Sequence, residues 1–230
     1  MKKIKNKLLY YFQNLSLALN YVFVKNFSEI EVIKGSLDNS SVVFDIGSNL
    51  GTFIKFVSKF NKDKEISFYS FEPIEELIEF QKKLKLPKVH KLIKNNVAIS
   101  TKIGFLKFYE RSVSSQSSFN KNHSTLGKIT NTYNVETTSI DKYCLDNDID
   151  KINLLKIDTE GNDYDVLKSC QNSLKNNIIE LIKIEITNEG NNFQNILKFL
   201  NEFGYELIGS VNHTYFDNKL TLSDCYFQKN

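Results

Sequence analysis

Residues 41–51 read Ser-Val-Val-Phe-Asp-Ile-Gly-Ser-Asn-Leu-Gly, a short apolar run that ends in an acid and opens into a glycine-bearing turn. Phe53, Phe56, Val57 and Phe60 then fall on one face of a helix. The order strand, glycine turn, helix decides the fold, because the same rhythm continues along the chain. Residues 66–71 read as a second strand, Pro73 suits the first turn of a helix carrying Leu77, Ile78 and Leu84, and residues 89–93 read as a third strand. In the second half, 153–157 is a buried strand, 164–174 a helix and 178–186 a strand. Phe193, Ile196, Leu197 and Leu200 mark a helix that stops near Gly204, and 205–208 and 220–227 form a closing pair of strands. This alternation predicts an α/β fold: an open, mostly parallel twisted sheet with helices on both faces and an antiparallel closing strand. Between the halves, strands at 104–109 and 135–137 flank a polar stretch at 112–134, too long for an ordinary connection and therefore a lid or a disordered insert.

The chain has 230 residues, 41% hydrophobic and 25% charged, which is ordinary globular composition and excludes collagen-like, disulfide-stapled and fully disordered classes. Without a Pro/Gly/Ser-rich linker, residues 37–230 are expected to form one domain. Ahead of it, in residues 1–36, Ile4, Leu8, Tyr11, Leu15, Leu19 and Val22 recur at helical spacing. Gln13 and Asn14 interrupt the apolar run, so a signal peptide is not expected, and no stretch approaches the roughly 18 apolar residues of a membrane span. Residues 1–28 carry five lysines and no acid, which leaves −2 for the rest of a chain whose formal total is +3. That helix therefore either packs on the body or makes peripheral contact with a membrane surface through its lysines. A body that is not basic, with Arg111 as its single arginine, argues against nucleic acid as a partner. Cys144, Cys170 and Cys225 are odd in number and lack metal-ligand spacing, which points to a reducing, cytoplasmic address and no zinc.

The chemistry begins at Asp45. Glycines at 47 and 51 let the backbone turn sharply and approach a ligand, yet the run does not match G-x-G-x-x-G, since Asn49 stands at the second glycine position. A carboxylate pointing into such a turn repels a pyrophosphate and attracts an ammonium and a sulfonium, the charges of S-adenosylmethionine. Glu72, at the end of the second strand, is placed to accept both hydroxyls of a ribose. These acids count against the competing readings, a nucleotide-dependent oxidoreductase and a non-catalytic binding module.

The blocks VVFDIGSNLGTF (42–53), SFEP (70–73), NNVAIS (95–100), SVSSQSSF (112–119), TTSIDKY (137–143), LLKIDTEGND (154–163) and IKIEI (182–186) resemble, in order, those of the FkbM-type methyltransferases. The resemblance covers roughly residues 40–190, and its most specific block is Lys156-Ile157-Asp158-Thr159-Glu160-Gly161. It implies a class I, Rossmann-like methyltransferase fold, S-adenosylmethionine as cofactor, and O-methylation of a sugar or related polyhydroxylated small molecule, placed here in surface-polysaccharide biosynthesis. By the same resemblance Asp45, Gly47, Ser48, Asn49 and Gly51 line the methionine and ribose end, Glu72 the ribose, and Asn96 and Val97 the adenine. Asn162-Asp163 departs from the family, which more often has a small residue and Glu there.

On a strand, Lys156 and Asp158 share one face while Leu155 and Ile157 take the other. If the strands at 153–157 and 178–186 are neighbours, as the fold implies, Lys156 is expected to pair with Glu185, leaving Asp158 to face the ligand crevice. A hydroxyl is a poor nucleophile, so a base or metal must help remove its proton. Asp158 or Glu160 is the candidate base. Asp158, Glu160 and Asp163 offer hard oxygen ligands to a divalent metal, although their spacing is not a metal motif. Of the three histidines, His90 is placed in the third strand, His123 in the polar stretch, and His213 in a late loop as an alternative base. Ser117 and Ser118 are expected to contact cofactor or acceptor, with Phe119 excluding water.

Overall fold

The computed structural model describes residues 27–122, 127–187, 192–216 and 219–229. The helix expected from Ile4 to Val22, and His123, lie outside the described residues.

A first helix, α1 (Glu29–Ser36), is capped by Ser28, whose hydroxyl accepts from the Glu31 amide at 3.3 Å, and it buries Ile33. Then come β1 (Ser41–Ile46), α2 (Thr52–Phe60), β2 (Ile66–Phe71), α3 (Glu75–Gln81) and β3 (Lys91–Asn95). A small excursion follows: β4 (Ala98–Ile99), β5 (Gly104–Arg111), a 3-10 turn (Ser114–Gln116) and β6 (Ile129–Thr138). The second half runs α4 (Ile140–Asp146), β7 (Ile152–Ile157), α5 (Asp163–Lys168), α6 (Gln171–Lys175), β8 (Ile179–Thr187), α7 (Asn192–Glu202), β9 (Tyr205–Phe216) and β10 (Lys219–Lys229).

Among the described residues seven strands form one sheet in the order β3-β2-β1-β7-β8-β10-β9, with β10 antiparallel to both β8 and β9 and the other pairs parallel. The expected open parallel sheet with an antiparallel closing pair is therefore what forms. Strand alternation supplies both cores. Val43, Leu154 and Leu181 point to the face covered by α1 and α2, where they meet Ile33, Ile54 and Val57. Their sequence neighbours Phe44, Leu155 and Ile182 point to the other face and meet Val166, Leu174 and Ile196. By the same parity Asp45, Lys156 and Lys183, paired in register across β1, β7 and β8, point to the α1–α2 face near the carboxyl ends of their strands.

Several boundaries depart from the sequence reading. The expected helix at 164–174 is two, α5 and α6, because Asp141 on α4 accepts from the Asn172 and Ser173 amides at 2.8 Å each and starts a new helix there. β3 begins after His90, which is buried with its ring edge-on to Phe68. The polar stretch at 112–134 is shortened by β6, which begins at Ile129 and pairs with β5 in a second, three-stranded sheet, β4-β6-β5. His213 lies on β9 rather than in a loop, with its Nε2 2.9 Å from the Ser210 hydroxyl. Among the described residues no helix is long and apolar enough to cross a membrane.

Candidate active site

The strand order reverses between β1 and β7, and in an open parallel sheet a crevice forms there beyond the carboxyl ends of the strands. Its floor is the turn after β1. Gly47 has φ 71° and Gly51 φ 73°, with Asn49 between them also in the left-handed region at 47°. A Cβ on Gly47 would lie 1.9 Å from the carbonyl oxygen of Asp158, so the turn after β1 and the loop after β7 touch only because this position is glycine. The turn is fastened to β2 as well: the Gly47 and Ser48 amides donate to the Phe71 carbonyl at 3.0 and 3.2 Å. Gln81, a buried residue that no sequence pattern singled out, donates to the Ser48 hydroxyl at 2.9 Å and to the Asn49 carbonyl at 2.6 Å.

Glu72 closes the adjoining wall. Its Oε2 accepts from the Asn49 amide and its Oε1 from the Ile74 amide, each at 2.9 Å, so each oxygen keeps a lone pair for a ligand. Burial pushes the Glu72 carboxyl up to about 7 against the pull of those amides.

On the β7 side stands a buried cation. Lys156 Nζ lies 3.0 Å from Asp45 Oδ1 and 3.3 Å from Asp158 Oδ2, and donates to the Gly47 carbonyl at 2.9 Å. Burial works against its charge, yet Asp45 and Asp158 outweigh that and hold the ammonium's pKa above its usual value. The expected Lys156–Glu185 pair does not form, because the register sets Lys156 opposite Lys183, which bonds Glu29 and Asp224 instead. Asp45 is fully buried beneath the turn and lines neither of the cavities described below; its charge faces Lys156 rather than a ligand. Lys156 joins the turn, the acid under it and the candidate base.

The Thr159-Glu160-Gly161 loop is tightly built. Glu160 is a non-glycine residue at φ 52°, an uncommon conformation that concentrates at functional loops. Asp163 accepts from the Thr159 amide and hydroxyl at 2.7 and 3.0 Å and from the Gly161 amide at 3.3 Å, so it is spent within its own loop. The serine-rich segment docks here: Gln116 donates to Glu160 Oε2 at 3.1 Å, and Ser118 donates to the Glu160 carbonyl at 2.8 Å. Ser118 is thus a buried fastener that does not reach the cavity, whereas Ser117 and Phe119 line it, the latter edge-on to Phe108. Asn96 is exposed and donates to the Glu72 and Pro73 carbonyls at 3.0 Å each, and Val97 packs on the core; it is Ala98 and Ile99 that line the crevice.

Two cavities flank this junction. The first encloses about 660 Å³ including its mouth, between apolar walls of Phe71, Ile74, Ile99 and Phe108. Among the described residues three carboxylates, Glu72, Asp158 and Glu160, line it together with no lysine, arginine or histidine. The second, about 960 Å³ with its mouth, opens on the α1–α2 face beside Phe53, Phe56 and Lys183. Gly47, Asn49, Ser115 and Asp158 border both. Neither reaches His213 or Glu185. Among the described residues no group of three or more His, Cys, Asp or Glu is arranged to hold a metal ion.

The acids of this edge set a pH dependence. Glu72 and Glu160 rise from 4.5 to about 7, Asp163 from 3.8 to about 6 and Glu185 from 4.5 to about 9, in each case chiefly through burial. The folded chain therefore binds more protons than the unfolded chain from about pH 4 upward, and its stability falls as pH rises through this window. The ligand-free protein is expected to melt at a lower temperature at pH 8 than at pH 5. Glu72→Gln is expected to flatten that slope by up to about 3 kcal/mol. An identical slope in the variant would show that Glu72 ionises normally.

The sheet order, with its reversal between β1 and β7 and antiparallel β10, is that of the class I methyltransferase fold. The protein belongs to the FkbM methyltransferase domain family, whose model matches residues 45–207 and whose cofactor is S-adenosylmethionine. The chain is similar in fold to the methyltransferase FkbM from Methylobacillus flagellatus KT (TM-score 0.56, 12% identity), covering 82% of this chain and 44% of that one. It thus spans less than half the length of that relative. Similarity extends to a TehB-like S-adenosylmethionine-dependent methyltransferase from Corynebacterium glutamicum (TM-score 0.41, 11% identity, 95% of this chain and 97% of that one). It extends also to M. capricolum TrmK solved with S-adenosylhomocysteine (TM-score 0.46, 13% identity, 89% and 69%). No curated protein matches the chain.

Proposed function

We propose that the protein transfers a methyl group to a hydroxyl of a small polyhydroxylated acceptor, such as a sugar, with Asp158 as general base. The observation that carries this reading is the position of Asp158: its carboxylate, 38% exposed and anchored by Lys156, borders both cavities. One cavity suits a cofactor and the other an acceptor, so Asp158 stands where the two would meet.

The residues fit S-adenosylmethionine better than a dinucleotide. A pyrophosphate would meet three carboxylates and no cation in the first cavity, whereas a ligand with ammonium and sulfonium charges is favoured there. Glu72 would accept the ribose hydroxyls, Phe71, Ile74, Ile99 and Phe108 would cover the adenine, and the Gly47 turn would pass beneath the amino-acid end. When bound, S-adenosylmethionine supplies an electrophilic methyl on a positively charged sulfur. Asp158 would take the proton from the acceptor hydroxyl as its oxygen forms the new bond to carbon and the carbon–sulfur bond breaks, its electron pair staying on sulfur and leaving S-adenosylhomocysteine. Lys156 holds Asp158 and the Gly47 turn in fixed relation, so that the base and the cofactor floor move together. Ser117 and Phe119 would shield the cleft from water. We place the reaction in surface-polysaccharide biosynthesis in the cytoplasm, a location that the three buried free thiols support. Residues 37–230 would be the catalytic domain, with residues 1–36 a helical segment that packs on it or touches a membrane.

Calorimetric titration with S-adenosylhomocysteine is expected to give saturable binding, and NADH none; the reverse result would sink the reading. Asp158→Asn is expected to cut turnover of a sugar acceptor by about 10²- to 10⁴-fold, the usual worth of a positioned base, while S-adenosylhomocysteine still binds. Turnover at the unmodified rate would remove Asp158 as the base.

A further inference from the structure

Outside the crevice, a groove of about 790 Å³ runs along α2, flanked by Lys55, Lys59, Lys62 and Lys85. All four are exposed, no Asp or Glu lines the groove, and among the described residues none of the four is ion-paired. They gather although the chain beyond residue 28 carries a net −2. The floor between them is apolar, from Phe56, Leu86 and Pro87. Lys55 and Lys59 lie four residues apart on α2 and repel one another, with Lys62 and Lys85 adding like charge beside them, so a multivalent anion bound there would relieve the repulsion.

The position of the groove narrows the choice of anion. Thr52, Lys55, Phe56 and Lys59 form one helical stripe of about 10 Å at ~1.5 Å per residue. Thr52 and Phe56 also line the second cavity, the one that ends at Asp158. The groove is thus an outward extension of the proposed acceptor cavity. The carboxylates of the first cavity repel phosphate, and Lys156 and Lys183 in the second are already paired with Asp45, Asp158, Glu29 and Asp224, so a phosphate-bearing acceptor finds its unpaired cations farther out while its hydroxyl approaches Asp158. The lysine groove is where such a group would rest, and lysine serves as a point charge for phosphate.

We propose, resting on the methyl-transfer reading above, that Lys55, Lys59, Lys62 and Lys85 bind the diphosphate of a soluble nucleoside-diphosphate sugar acceptor. Phe56 and the second cavity would carry the sugar towards Asp158. The lysine–diphosphate contact would be electrostatic and weakened by salt.

The test uses the full chain saturated with S-adenosylhomocysteine and titrated with uridine diphosphate by calorimetry at low and high salt. A second arm measures sedimentation with phosphatidylglycerol vesicles. Saturable, salt-sensitive binding of uridine diphosphate is expected. It should weaken about tenfold or more in Lys55→Glu/Lys59→Glu, which should still bind S-adenosylhomocysteine as the unmodified chain does. No binding of uridine diphosphate, or equal binding by the variant, would overturn the proposal. Vesicle binding lost in the variant without uridine diphosphate binding would overturn it in favour of a membrane surface. Failure of S-adenosylhomocysteine itself to bind would instead overturn the methyl-transfer reading, so the two failures are distinguishable.

Discussion

Gly47→Ala is expected to abolish S-adenosylhomocysteine binding, by more than about 100-fold, and to lower the melting temperature while leaving a folded sheet. The backbone there has φ 71°, which costs an L side chain about 1–2 kcal/mol on its own. The added Cβ would also lie 1.9 Å from the Asp158 carbonyl oxygen and 2.9 Å from its carbon. Those are backbone atoms that cannot rotate away, so the turn after β1 must part from the loop after β7. That separation breaks the cavity floor and pulls Gly47 from Lys156. A total cost of about 3 kcal/mol corresponds to roughly 6–12 °C for a chain of this size. Gly35 provides the control: nothing lies within 4 Å of a Cβ placed there, and Gly35→Ala is expected to leave binding unchanged. Binding by Gly47→Ala within about twofold of the unmodified chain would show that the turn has room to adapt, contrary to this account.

The central sheet was legible because its signals are local. A strand buried on both faces is a run of apolar residues, a glycine turn follows, and helix faces repeat with their own period. Glu72 was legible for the same reason, since it directly follows a strand. What pairs across strands was not. Strand parity puts Lys156 on the same face as Asp158, but only the register of β7 between β1 and β8 decides whether it meets Asp45 or Glu185. Each residue of slip moves a side chain to the opposite face. Asp45 was therefore read as a wall of the crevice when it is a buried partner beneath it. Gln81 carries no sequence signal, and Ser118 is a fastener rather than a ligand contact, because both work on backbone and side-chain groups distant in sequence. The break between α5 and α6 likewise depends on Asp141, about 30 residues earlier, acting as a tertiary cap. The lysines of the groove were visible as residues, but Lys85 joins Lys55 and Lys59 only when the segment after α3 folds back beside α2.

Lys156→Met is expected to have an effect of similar size by a different route. The Lys156 side chain is 7% exposed and that of its main partner, Asp45, 1%. Removing one member of a buried pair strands the other charge, at a cost of about 3–5 kcal/mol. A lower melting temperature alone would say nothing about function. The double variant Asp45→Leu/Lys156→Met separates the two roles, because replacing a whole buried pair with apolar groups is often neutral for stability. It is expected to regain most of the lost stability. It is not expected to regain S-adenosylhomocysteine binding, since the Gly47 carbonyl and Asp158 have both lost the donor that fixes them to one point. Recovery of stability together with full affinity would show that Lys156 only fills the interior. Recovery of stability with affinity still reduced about tenfold or more would show that a positive charge under the turn is what holds the cofactor floor and the base in register.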